Sequence, residues 1–418
     1  MSPFSYSRGL LHAEGVALDE LASSYGTPVY VYSKQALSEN FLAYQKALAG
    51  HQHLICYAVK ANSNLAVLNL LAGLGAGFDI VSAGELSRVL AAGGSADKTV
   101  FSGVGKRADE IEYALSKGIA CFNVESVAEL ERIQDIAVRL NTIAAVSLRI
   151  NPDVDALTHP YISTGLKENK FGVDIDTAFA LYQRAAEFTH LDLIGIDCHI
   201  GSQITELKPF LDALERTLTL VDKLIDVGIT IKHLDLGGGL GVRYKDEQPP
   251  PVADYIGALL EKLAGRDLLL VVEPGRSITA NAGILLTRVE YLKSNGDKQF
   301  AVVDAAMNDM VRPTMYEAWL NIEPVNEASV ETEQRYDIVG PVCESGDFLA
   351  KDRRLSIAAG DLLCIHSAGA YGFTMSSNYN SRPRPPEIMV DQGRAYLVRE
   401  RESIASLMQG EHTLEELL

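Results

Sequence analysis

Leu54-Ile-Cys-Tyr-Ala-Val59 is an unbroken apolar run with Lys60 standing at its end. Six such residues are too few for a buried helix and read as a strand covered on both faces. Working outward, similar runs recur at 78–81, 99–101, 119–123, 144–150, 193–199, 233–236 and 268–272. Helical patterns lie between them. Ser126-Val-Ala-Glu129 is a capping box ahead of Val127, Leu130, Ile133, Ala137 and Leu140, which share one helix face. Ser82-Ala-Gly-Glu85 repeats the cap before Leu86, Val89 and Leu90. Leu211, Leu214, Leu218, Val221 and Ile225 step by three and four, and Gly228 ends that pattern. Eight strands, each followed by helix or loop, predict a (β/α)8 barrel over 34–276, near the ~250 residues usual for that fold. A doubly wound open sheet shares the same alternation.

Beyond Pro274 the texture changes. Short strand-like runs at 284–292, 300–304, 336–339, 361–366, 388–390 and 395–399 are separated by loops rich in Gly, Pro, Asn and Ser. They predict a β domain over 277–418, giving an α/β plus β fold class. The strand-like PVYVYS at 28–33 lies outside the barrel count, and the N-terminal segment 1–33 is expected to join the β domain.

The chain has 418 residues and a net charge of −18, so nucleic acid and anionic membranes are excluded as expected partners. Five cysteines without a CxxC pair argue against a disulfide framework and for a reducing compartment. No basic segment followed by an apolar run opens the chain, and 61–78 carries three asparagines and three glycines that a membrane span disfavours. A cytoplasmic location is the expectation.

Phosphate-loop, dinucleotide, zinc-protease and serine-hydrolase signatures are absent from the sequence. The residues at the expected strand ends are therefore weighed, because barrel enzymes place their sites there. Lys60 suits an imine-forming nucleophile with a pKa lowered by burial, or a solvated strand-end lysine. His199 suits a stacking or proton-moving role, or a hydrogen-bonded core position. Gly237-Gly-Gly-Leu-Gly241 can turn successive N–H groups on an anion, or simply make a tight turn. In Glu273-Pro-Gly-Arg276 the carboxylate can hold a protonated ring nitrogen and the guanidinium a carboxylate or phosphate; a mutual salt bridge is the alternative. Cys343, in Gly340-Pro-Val-Cys-Glu-Ser-Gly-Asp347, is a proton donor or a small buried hydrophobe. The glycines flanking Tyr371 mark a close backbone approach or a turn.

Eight segments in order, from Tyr57-Ala-Val-Lys-Ala-Asn62 and Gly77-Phe-Asp-Ile-Val-Ser-Ala-Gly-Glu85 through Asn169-Lys-Phe-Gly172, His199-Ile-Gly-Ser-Gln203, the 237–241 glycines, Glu273-Pro-Gly-Arg276 and the Cys343 segment to Ala370-Tyr-Gly372, resemble the pyridoxal-phosphate (PLP) amino-acid decarboxylases of the alanine-racemase fold, and among them the diaminopimelate decarboxylases. The resemblance implies a PLP-binding barrel with a β domain, and decarboxylation of meso-2,6-diaminopimelate to L-lysine. It implies that Lys60 carries the cofactor, His199 stacks on its ring and Glu273 pairs with the pyridine nitrogen. Ser202, Gly237, Gly238, Gly239, Gly275, Arg276 and Tyr371 would surround the phosphate and neighbouring substrate groups. Arg276, Arg312, Tyr316 and Tyr371 would bind substrate, with Glu344 at its distal ammonium. Cys343 would donate a proton, reaching with Glu344 across the interface of a homodimer. Ornithine or arginine decarboxylases of the same fold, and a non-catalytic homologue, share most of these segments.

Overall fold

The structure is a computed structural model describing residues 3–156, 158–159, 162, 164–165, 169–327 and 332–417. It divides into two compact units, Ser38–Ile278 and a second that joins Met1–Leu37 to Thr279–Leu418.

In the first unit, among the described residues, eight parallel strands close into a barrel: His53–Ala58, Gly77–Ile80, Thr99–Phe101, Cys121–Val124, Ala144–Arg149, Leu191–Asp197, His233–Asp235 and Leu269–Val272. The closure is made by Leu270 pairing with His53, which excludes the open sheet. Helices follow the strands in turn, the longest being Lys208–Asp226, whose Phe210, Leu214, Leu218, Val221 and Leu224 are buried. Ser126 accepts the Glu129 N–H as the cap of Val127–Leu140, and Ser82 accepts that of Glu85 before Ala83–Ala91. Both glutamates reach back one residue beyond the cap, Glu129 to the Glu125 N–H at 3.0 Å and Glu85 to that of Val81 at 2.8 Å.

Two apolar runs extend past their strands. The first strand stops at Ala58, and Val59–Ala61 form a 3-10 turn. The sixth stops at Asp197, leaving His199 in the loop that follows. Cys198 N still donates to Asp235 O at 2.9 Å, so the ladder fades over one residue rather than breaking at the strand end.

In the second unit the 13-residue strand Gly283–Asn295 organises the sheet. Its first half pairs with Val29–Ser33 and with Leu362–Ile365, and its second half with Lys298–Val303. Val29–Ser33 also pairs in parallel with Glu387–Asp391, so the N-terminal strand lies inside this sheet. Val29, Val31, Ile284, Leu286, Ile388 and Val390 form its core. The charged strand Phe348–Leu355, FLAKDRRL, lies at one edge and, among the described residues, pairs only with Gln334–Val339. Its polar composition is that of an edge strand with one side to water, and no apolar run in the sequence marks it.

Gly195 sits opposite His233 in the barrel, and a Cβ placed there would lie 2.0 Å from His233 Nε2. Gly195→Ala is therefore expected to lower stability by about 1–3 kcal/mol. Urea midpoints measure this, and His233→Ala in the same chain should recover part of the loss.

Candidate active site

Residues two apart on a strand share a face. Cys56, Val100, Cys121 and Val271 form an apolar cluster inside the barrel. Two residues further along three of these strands come Ser102, Asn123 and Glu273, all buried. The same end of the barrel buries Asp79, Asp197 and Asp235. An apolar floor thus carries a polar layer at the C-terminal strand ends.

Asn123 ties this layer together. Its Nδ2 lies 3.2 Å from Ser102 Oγ, 3.3 Å from Asp235 Oδ2 and 3.3 Å from Glu273 Oε1. One oxygen from each of Asp197, Asp235 and Glu273 lies within 4.8 Å of the others. So many carboxylates cannot all stay ionised out of water. Burial, with Asp235, Asp79 and Asp197 adding and Lys60 opposing, holds the Glu273 carboxyl well above the usual range. Burial also pushes the Asp235 carboxyl up to about 6, opposed by the Gly237 N–H that its Oδ1 accepts at 2.9 Å.

Two cations answer this charge. Lys60 Nζ donates to Asp79 Oδ2 at 2.6 Å from the 3-10 turn after the first strand. Arg149 gives Nη1 to Glu125 Oε1 at 2.7 Å, places Nε 3.7 Å from Asp197 Oδ2 and donates through Nη2 to the His199 carbonyl at 3.3 Å.

His199 is half-buried and held neutral: burial, then Arg149 and Lys60, depress its pKa well below the ordinary histidine value. The Gly238 N–H donates to its Nδ1 at 3.1 Å, so the neutral ring carries its proton on Nε2. A Cβ at Gly237 would lie 2.5 Å from that Nδ1, and one at Gly238 would lie 2.2 Å from Glu273 O. These two glycines let the histidine and the Glu273 strand end close on the loop. Gly239 meets Gly201 O in the same way, at 2.6 Å. Gly275 packs against Ala58 and Ala61, the residues around Lys60. Arg276 donates to Ser202 Oγ at 3.0 Å and to Tyr244 Oη at 2.6 Å, a guanidinium framed by hydroxyls. Lys60, His199, Ser202, Gly237, Gly238, Gly239, Glu273, Gly275 and Arg276 therefore converge at one end of the barrel.

Arg312, Tyr316, Cys343, Glu344 and Tyr371 belong to the second unit. Arg312 is buried and opens the short helix Arg312–Tyr316. Thr314 on that helix donates to Gly346 O at 2.8 Å, joining it to the turn that bears Cys343 and Glu344. Both of those side chains are exposed, and the Cys343 N–H is taken by Asn380 Oδ1 at 2.8 Å. Asp347 shapes the turn by accepting the N–H groups of Met307 and Val342. Tyr371 has φ of 55° in a tight turn between two glycines.

Residues 34–280 match the family described as pyridoxal-dependent decarboxylase, pyridoxal binding domain. The diaminopimelate decarboxylase of Pseudomonas aeruginosa is 63% identical over 99% of this chain and its own full length. The chain belongs to the diaminopimelate decarboxylase family. Two solved structures of that name, both in complex with L-lysine, are similar throughout. The Helicobacter pylori enzyme has TM-score 0.91 and 44% identity, covering 96% of this chain and 100% of its own. The M. jannaschii enzyme has TM-score 0.94 and 38% identity, covering 100% of both chains.

The donor set fits the cofactor of this family. An amine, a neutral aromatic ring, a carboxyl acceptor and a guanidinium with hydroxyls and glycine amides are what PLP's aldehyde, ring face, ring nitrogen and phosphate require. Asp79 Oδ1, Asp197 Oδ1 and Asn123 Oδ1 are buried here without a hydrogen-bond partner, so the layer has acceptors to spare.

The residue-by-residue reading of the sequence passed over Asp79, Asn123, Glu125, Arg149, Asp197, Asp235 and Tyr244. A signal existed for the aspartates. Each is a lone charge at or near the end of an apolar strand, in Gly77-Phe-Asp-Ile80, Ile194-Gly-Ile-Asp197 and His233-Leu-Asp235, and a charge buried in a strand demands a reason. Arg149, the lone charge in Ala144-Ala-Val-Ser-Leu-Arg-Ile150, and Glu125, directly after Cys121-Phe-Asn-Val124, carry the same mark, and Tyr244 does not.

The Asp235 carboxyl fixes the sign of a pH effect. Between 3.8 and about 6 the folded chain keeps a proton that the unfolded chain has released, so stability falls as pH rises through that window. Asp235→Asn is expected to flatten this part of the profile, as read from urea midpoints across the same pH range.

Proposed function

We propose that this chain removes carbon dioxide from meso-2,6-diaminopimelate and releases L-lysine, with PLP held by Lys60. The observation that carries the reading is the convergence of Lys60, His199, Glu273 and Arg276 on one buried polar layer, in a chain of this family. PLP supplies an electron sink for the bond to the departing carboxylate.

The protein's own groups do the rest. Asp79 holds the Lys60 amine in place at the end of the first strand. Glu273 would hold the ring nitrogen, and the crowding by Asp235, Asp79 and Asp197 would keep a proton available there. His199 presents a neutral ring whose tautomer the Gly238 N–H selects. Arg276, Ser202 and the Gly239 amide would take the phosphate, with Gly237 and Gly238 shaping the loop around it and Tyr371 beside it. Arg276, Arg312, Tyr316 and Tyr371 hold substrate carboxylates, and Glu344 takes the distal ammonium. Cys343 returns a proton to the substrate's Cα after carbon dioxide leaves. Its thiol is exposed on its own chain, which suits a homodimer in which Cys343 and Glu344 complete the partner's site.

Incubating purified protein with PLP and a panel of diaminopimelate, ornithine, arginine and lysine tests the reading. The expected result is lysine from diaminopimelate and little turnover of the others; preference for ornithine or arginine would replace the substrate while keeping the fold. Lys60→Ala is expected to abolish both the visible absorbance of bound PLP and turnover. Cys343→Ala should retain the absorbance and lose about a hundred- to ten-thousandfold in kcat. Mixing the two inactive variants should restore activity if sites are shared between subunits; no recovery would count against sharing.

A further inference from the structure

The second unit contains a hollow of 330 Å³ that the reaction above does not use. Its walls include Pro313, Glu317, Trp319, Phe348, Lys351 and Arg353. The edge strand Phe348–Leu355 divides its charges between ion pairs and the hollow. Asp352 and Arg354 are ion-paired, with Arg335 at 2.6 Å and Glu333 at 3.8 Å. Lys351 and Arg353 line the hollow, and among the described residues neither has a carboxylate within ion-pair distance.

Both cations rest on aromatic rings. Lys351 Nζ is 4.5 Å from the Phe348 centroid and Arg353 Cζ is 4.2 Å from that of Trp319. Of the Arg353 donors, Nη2 is spent on Leu320 O at 2.9 Å, while Nε is buried without an acceptor. In a chain of net charge −18, carboxylates are abundant and basic groups few. Two neighbouring cations left without one, over an aromatic floor, keep their charge for something else.

We propose that this hollow binds a small dicarboxylate anion, with Lys351 and Arg353 each taking one carboxylate. Asp352 between them has φ of 53° and bulges the strand, and both cations line the one hollow, so two carboxylates on a short chain meet both cations where a monocarboxylate meets only one. Pro313 and Glu317 belong to or adjoin the helix that bears Arg312 and Tyr316. An occupant therefore bears on that helix and changes KM more than kcat. That consequence rests on the roles proposed above for Arg312 and Tyr316; the binding itself does not.

Trp319 is the only tryptophan in the chain, so its fluorescence reports on this hollow alone. Succinate titrated at constant ionic strength into the PLP-loaded protein should change it saturably, and acetate should do so far more weakly. Lys351→Gln, an exposed substitution with no structural bond to lose, should weaken succinate binding roughly fivefold to tenfold. Arg353→Gln should weaken it further. A response that never saturates, that acetate reproduces, or that Lys351→Gln leaves unchanged overturns the proposal. A change that follows protein concentration instead of succinate also overturns it, marking the hollow as a contact between chains. Saturable binding with KM for diaminopimelate unmoved would leave the anion site standing and count against the roles of Arg312 and Tyr316.

Discussion

The barrel closes with more negative charge inside it than its own cations neutralise. Asp79, Asp197, Asp235 and Glu273 are buried together at the strand ends, where each ionised carboxylate raises the cost of the next. Lys60 and Arg149 offset part of this, and protons must offset the remainder. Much of the site follows from that imbalance. The tight Lys60–Asp79 pair and the strong proton affinity of Glu273 are responses to the same field, while burial and the cations Arg149 and Lys60 keep His199 neutral.

The layer is expensive for stability but well suited to catalysis. Acceptors such as Asp79 Oδ1 and Asp197 Oδ1, unpartnered among the described residues, lower stability and would supply hydrogen-bonding capacity to a polar cofactor ring. Dipoles and charges already oriented there need no rearrangement during reaction, which is where most electrostatic rate enhancement originates. Glycine serves the same end. At Gly237 and Gly238 a side chain would collide with His199 or Glu273, so this loop packs closely on both only without one.

The β unit follows different physics. Its sheet is organised by one long strand, Gly283–Asn295, which changes partners along its length. The turn carrying Cys343 and Glu344 is held by the backbone contacts of Asp347 and by Thr314, which leaves both side chains exposed. A scaffold that anchors main chain and frees side chains is what a loop serving another surface requires.

Period and caps made the barrel legible. Short apolar runs alternating with serine-capped helical patterns have few other solutions, and strand ends came within about two residues. The N-terminal strand Val29–Ser33 was visible by its β-branched and aromatic content, but its partners in the sheet were not. Lys60, His199, Glu273 and Arg276 were legible because each stands beside a strand or glycine signal. Their convergence was not legible, since it depends on closing Leu270 against His53. Tyr244 and the polar strand Phe348–Leu355 carry no local pattern, and Glu125 and Arg149 carry only that of a lone charge at a strand end. The sequence alone determined the elements and the family motifs, because periodicity and turn chemistry are local. Only the tertiary structure decided which carboxylates share one buried volume and which cations lack a partner, because those are sums over residues far apart in the chain.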